Sequence, residues 1–71
     1  MSNKIISSKD MDKIIQCFNI DLYEEEDIDE DLNNLQSNPY PEVLYSLYEK
    51  YNTKFSNLVL FQFELVMDRY V

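Results

Sequence analysis

Between residues 24 and 31, seven of eight side chains are carboxylates: Glu24, Glu25, Glu26, Asp27, Asp29, Glu30 and Asp31, interrupted only by Ile28. Carboxylates at this density can transfer protons, bind cations, or present a surface that competes with phosphates. Proton transfer needs a concave, partly dry site that shifts one pKa. An exposed face of a small domain offers neither, and the chain has no His to work beside it. Asp27, Asp29 and Asp31 are spaced like the start of a calcium-binding loop. The sixth position of that loop, where Gly belongs, is Leu32, and the twelfth, where a bidentate Glu belongs, is Asn38. No specific calcium site is expected. The third chemistry remains. Duplex phosphates repeat at about one charge per 1.7 Å of axis, so a dense carboxylate face can compete for a groove built to hold nucleic acid. Charge runs are more often plain solvated faces. The self-repulsion that such a run imposes on a small domain argues that this one has a task.

Few other residues offer chemistry. The single cysteine, Cys17, sits beside an apolar stripe and reads as a small hydrophobe. It cannot form an internal disulfide. Without His there is no nucleophile–base pair and no common zinc set. Without Gly there is no phosphate-wrapping loop. No catalytic set and no cofactor are expected. Among the six tyrosines, Tyr48, Tyr51 and Tyr70 fall on apolar arcs and are expected in the core. Tyr40 stands between two prolines, and Tyr45 projects away from its helix's arc between Glu42 and Glu49. Exposed tyrosine is enriched at interfaces. Tyr40, Tyr45 and Glu49 therefore join Asp21 and the acidic run as candidate partner-binding residues.

The elements that must position these residues are helical. Ser7 and Asp10 form a capping pattern, and Met11, Ile14, Ile15 and Phe18 recur at helical spacing. They predict a helix over residues 8–19, preceded by a frayed start over residues 1–6. Ile28, Leu32 and Leu35 give a narrow apolar stripe, predicting a second helix over residues 24–36 whose acids crowd its N-terminus. Pro39 and Pro41 break the chain, and Pro41 can open a third helix over residues 41–51. Asn52 or Thr53 is expected to cap the last segment. Residues 54–70 read as a helix through Phe55, Leu58, Val59, Phe63, Val66, Met67 and Tyr70. The alternation of Val59, Phe61, Phe63, Leu65 and Met67 gives a strand as the alternative. The fold expected is all-α, three to four short helices with the last as central beam; the alternative is α+β with a C-terminal strand. On the last helix Phe61 points off the stripe, with Leu65 at its margin. Packing inside the bundle accounts for it if that helix is apolar nearly all round. The other readings are a homodimer or a docked partner.

Length and charge set the class. A chain of 71 residues allows one domain with a small core. The net charge of −8 opposes direct binding to nucleic acid or to anionic membranes and favours a basic partner. The cysteine usage and the polar start predict a cytoplasmic protein, or one acting in a host cell's cytoplasm if viral. These features together predict a stoichiometric inhibitor that blocks a basic, nucleic-acid-binding partner such as a nuclease. Immunity proteins, antitoxins and phage counter-defence proteins share this physical type, which is an analogy and not a sequence resemblance. The competing reading is a non-catalytic structural or adaptor module, homodimeric through Phe61 and Leu65.

Overall fold

The computed structural model describes residues 5–70. Four α-helices and one 3-10 turn follow in order: α1 (Ser8–Asp21), α2 (Ile28–Ser37), α3 (Pro41–Tyr51), the 3-10 turn Asn52–Lys54, and α4 (Asn57–Asp68). There is no strand among the described residues, so the C-terminal segment is helical and the fold is an all-α bundle. No helix among them is long and apolar enough to cross a membrane.

Each helix starts where the sequence offers a cap or a stop. Ser7 caps α1, its Oγ accepting the Asp10 N–H at 3.2 Å. Pro41 occupies the first turn of α3, where its missing N–H costs nothing. Ser56 caps α4 by accepting the Val59 N–H. The cap is thus later than Asn52 or Thr53, because residues 52–54 complete a tight 3-10 turn first.

Two further boundaries differ from expectation. Helix α2 begins at Ile28, not at residue 24. A helix continued back through residues 24–27 would set these acids three or four residues from Asp29, Glu30 and Asp31, like charges on one face, and would bury none of them in the core. Ile28 is the first side chain that reaches the core. Of the expected frayed start only residues 5 and 6 are described. Residues 1–4 lie outside the described residues, but Ile6 is only 4% exposed and its N–H donates to the Pro39 carbonyl at 2.8 Å.

The core centres on Phe18, fully buried, whose ring meets Tyr51, Phe55 and Phe63 edge-on at centroid distances of 5.5, 5.3 and 5.8 Å. Each such pair adds about 0.5–1.5 kcal/mol beyond its buried area. Tyr51 is buried as expected, while Tyr48 and Tyr70 are only partly covered. Helix α4 runs antiparallel to α1. Asp10 meets Arg69 and Tyr70, Cys17 meets the Val59 carbonyl, and Asp21 meets Ser56. Helices α2 and α4 each pack on both α1 and α3. Helix α4 is not wrapped on all sides. Phe61 is 58% exposed and Leu65 44%, so the expectation that they pack inside the bundle is corrected. One face of α4, with Leu58, Phe61 and Leu65, stays in solvent.

Candidate protein-binding surface

The acidic run occupies two kinds of backbone. Glu24, Glu25, Glu26 and Asp27 form turns between α1 and α2. Asp29, Glu30 and Asp31 lie in the first turn of α2, where the helix dipole favours anions. Three ties hold this segment to the bundle. Glu25 pairs with Lys54 at the end of the 3-10 turn. Asp31 accepts from Lys50 Nζ at 2.9 Å and from the Tyr51 hydroxyl. Asp21, at the end of α1, accepts the Ser56 N–H at 2.6 Å. The Asp31 carboxyl is held below the ordinary range: burial opposes its ionisation, but the Tyr51 and Lys50 hydrogen bonds and the Lys50 charge outweigh it.

These ties divide the candidate acids by task. Asp21, Glu25 and Asp31 join parts of the fold, each only partly exposed. Glu24, Glu26, Asp27, Asp29 and Glu30 are exposed and make no ion pair among the described residues. The five outward acids flank Glu25 and precede Asp31, so a solvent-facing anionic surface is anchored near its start and at its end. No cluster of three Asp, Glu or Cys side chains among the described residues is arranged to hold a metal ion.

The other candidates lie elsewhere. Tyr40 is the exposed N-cap residue of α3, while Tyr51, which reaches Asp31, ends that helix eleven residues on. At 1.5 Å per residue the two ends are roughly 16 Å apart. Tyr45 and Glu49 face α4, lining with Tyr48 and Met67 an open cleft of about 430 Å³. The Tyr48 hydroxyl donates to Glu64 at 2.7 Å, whereas the buried Tyr45 hydroxyl has no partner. The eleven candidates thus fall into three places: the acidic segment with Asp21, the Tyr45–Glu49 cleft, and Tyr40 alone. Phe61 and Leu65 share the outer face of α4.

Sequence reasoning missed the residues that fasten the surface. Lys50 and Lys54, four apart, were visible as cations but carried no signal of which acids they hold. It also read Asp10 as a helix-start acid only. Asp10 is 4% exposed and takes Arg69 Nη1 at 2.7 Å and the Tyr70 hydroxyl at 2.6 Å. Cys17 is buried, and burial together with nearby Asp21 pushes its thiol up, which keeps it protonated and unreactive. Comparison with protein-family models, curated proteins and solved structures finds no match.

Proposed function

We propose that this chain is a stoichiometric binding protein that uses the acidic surface at residues 24–31 to occlude a basic site on a nucleic-acid-binding partner. The observation that carries the reading is the division within the run. Two carboxylates are tied to lysines of the same chain, and five point outward without counter-ions among the described residues. Tying the segment reduces the ordering cost that a loose acidic tail would meet on binding. The outward charges steer association with a cationic surface, and their contribution falls as salt screens them. No step of this role requires catalysis or a cofactor. A cytoplasmic setting, the organism's own or a host's, belongs to the same proposal.

The test is a pull-down from native-host lysate at low and high salt. The wild-type bait is compared with a variant carrying Glu24→Gln, Glu26→Gln, Asp27→Asn, Asp29→Asn and Glu30→Gln. This variant spares Glu25 and Asp31 and changes the net charge from −8 to −3, five acids being neutralised. The proposal expects a basic protein captured by wild type, lost with the variant and weakened by salt. Equal capture by both baits at both salts would remove the acidic surface from the mechanism.

A further inference from the structure

We infer that the cleft between α3 and α4 is an anchor site for an arginine side chain of a basic protein partner. The cleft, of about 430 Å³, is lined by Tyr45, Tyr48, Glu49 and Met67. Its wall is thus two tyrosine rings, a thioether and a carboxylate, none of which carries positive charge. Further acids stand along it. Glu42, Tyr45 and Glu49 follow one flank of α3 at steps of three and four, and Glu64 accepts the Tyr48 hydroxyl at 2.7 Å from the α4 side. The nearby cations are turned elsewhere: Lys50 of α3 toward Asp31 on α2, and Arg69, just past α4, toward Asp10 on α1.

The chain itself shows how such a set of groups is filled. Lys50 Nζ lies 5.3 Å from the Tyr51 ring centroid and 2.9 Å from an Asp31 carboxylate oxygen, a cation seated between a tyrosine ring and an acid. The cleft repeats that set with two rings and Glu49, and no cation among the described residues fills it. A cation over a tyrosine face is drawn to the ring's negative centre, and a carboxylate beside it adds charge complementarity. Guanidinium suits the site better than ammonium. It is flat and weakly hydrated, so it stacks on a ring while its N–H fork meets a carboxylate. This inference rests on the binding role proposed above: the acidic run steers the partner, and the cleft seats one of its arginines. Steering charges set the rate and salt dependence of association, whereas an arginine seated against aromatic rings is the kind of contact that carries affinity.

The test is an NMR titration of the full chain with an end-blocked Gly-Arg-Gly peptide, at about 0.15 M salt to screen diffuse attraction to the acidic run. Saturable shifts are expected at the amides of Tyr45, Tyr48, Glu49 and Met67, with a dissociation constant on the order of 1–10 mM for this single side chain. Glu49→Gln and Tyr45→Leu should each weaken binding by about threefold or more, with an unchanged helical spectrum, whereas Tyr45→Phe, which keeps the ring, should stay within about twofold. The same peptide with citrulline, which keeps the shape and removes the charge, should not saturate, and the lysine peptide should bind more weakly. The variant with the five outward acids neutralised should keep the cleft shifts, so this inference and the role of the acidic run fail separately. Absence of saturable shifts at the four cleft residues overturns the inference. So does equal binding of the citrulline or lysine peptide. Cleft shifts that vanish in the five-residue variant but survive Glu49→Gln would give the arginine to the acidic run and also overturn it.

Discussion

Asp10 sits at the start of α1 and takes hydrogen bonds from Arg69 and Tyr70, 59 and 60 residues away, so one carboxylate closes the two ends of the chain on each other. Burial opposes its charge, but the Tyr70 hydroxyl, Arg69, Ser7 and Lys13 together hold its carboxyl below the ordinary range. A carboxylate depressed in the folded state adds stability above its unfolded pKa, near 3.9, and loses it as pH falls through the folded value. Asp31 is depressed likewise. Thermal melts should therefore fall steeply below about pH 4, and Asp10→Asn should flatten that fall while costing about 1–3 kcal/mol at neutral pH, since the Arg69 left behind is half exposed. Tyr45 gives the opposite sign. Its buried hydroxyl lacks a partner, so Tyr45→Phe should leave the melting temperature unchanged or raise it, by up to about 1 kcal/mol of stability. If Tyr45→Phe destabilises the chain, the hydroxyl has a partner in solution. At this scale the sequence was legible in residue type but not in pairing. Phe18 reads as core from its spacing, whereas nothing local to Asp10 points to Arg69.

Helix type and order were legible because apolar spacing repeats over several turns in α1, α3 and α4. Helix boundaries were less so. The residues that set them act through competition: repulsion between the acids of residues 24–27 and those of residues 29–31 delayed α2, and a 3-10 turn moved the α4 cap to Ser56. The cap is directly testable. Ser56→Ala should cost about 1 kcal/mol in chemical denaturation, while Thr53→Ala, in the turn ahead of it, should cost little. A larger loss at Thr53 would move the helix start back to where spacing alone put it. The helix–strand ambiguity of residues 54–70 has a physical origin. Helix α4 is apolar on its inner seam and again at Leu58, Phe61 and Leu65, and two helical seams on one segment produce an apparent alternation.

At the scale of the molecule, the outward acids lie on the connection into α2 and its first turn, and the outward apolar groups lie on α4. The two regions meet at one end, where Glu25 pairs with Lys54 and Asp21 takes the Ser56 N–H. The charge could be read from the sequence, but its division into tied and outward acids could not, since that depends on Lys50 and Lys54 arriving from α3 and its 3-10 turn. Because the tied acids fasten the fold and the outward ones do not, the five-residue neutralised variant should keep its helical spectrum and melt within a few degrees of wild type. Loss of two favourable first-turn acids is offset by relief of repulsion. The most direct test of the binding role is calorimetric titration of the basic protein captured in the pull-down, repeated across a salt series with wild type and the five-residue variant. Wild-type affinity should fall by about tenfold or more between low and high salt as screening removes the attraction, and the variant should bind weakly with a shallow slope. Equal affinities with equal slopes would contradict the acidic surface as the means of recognition.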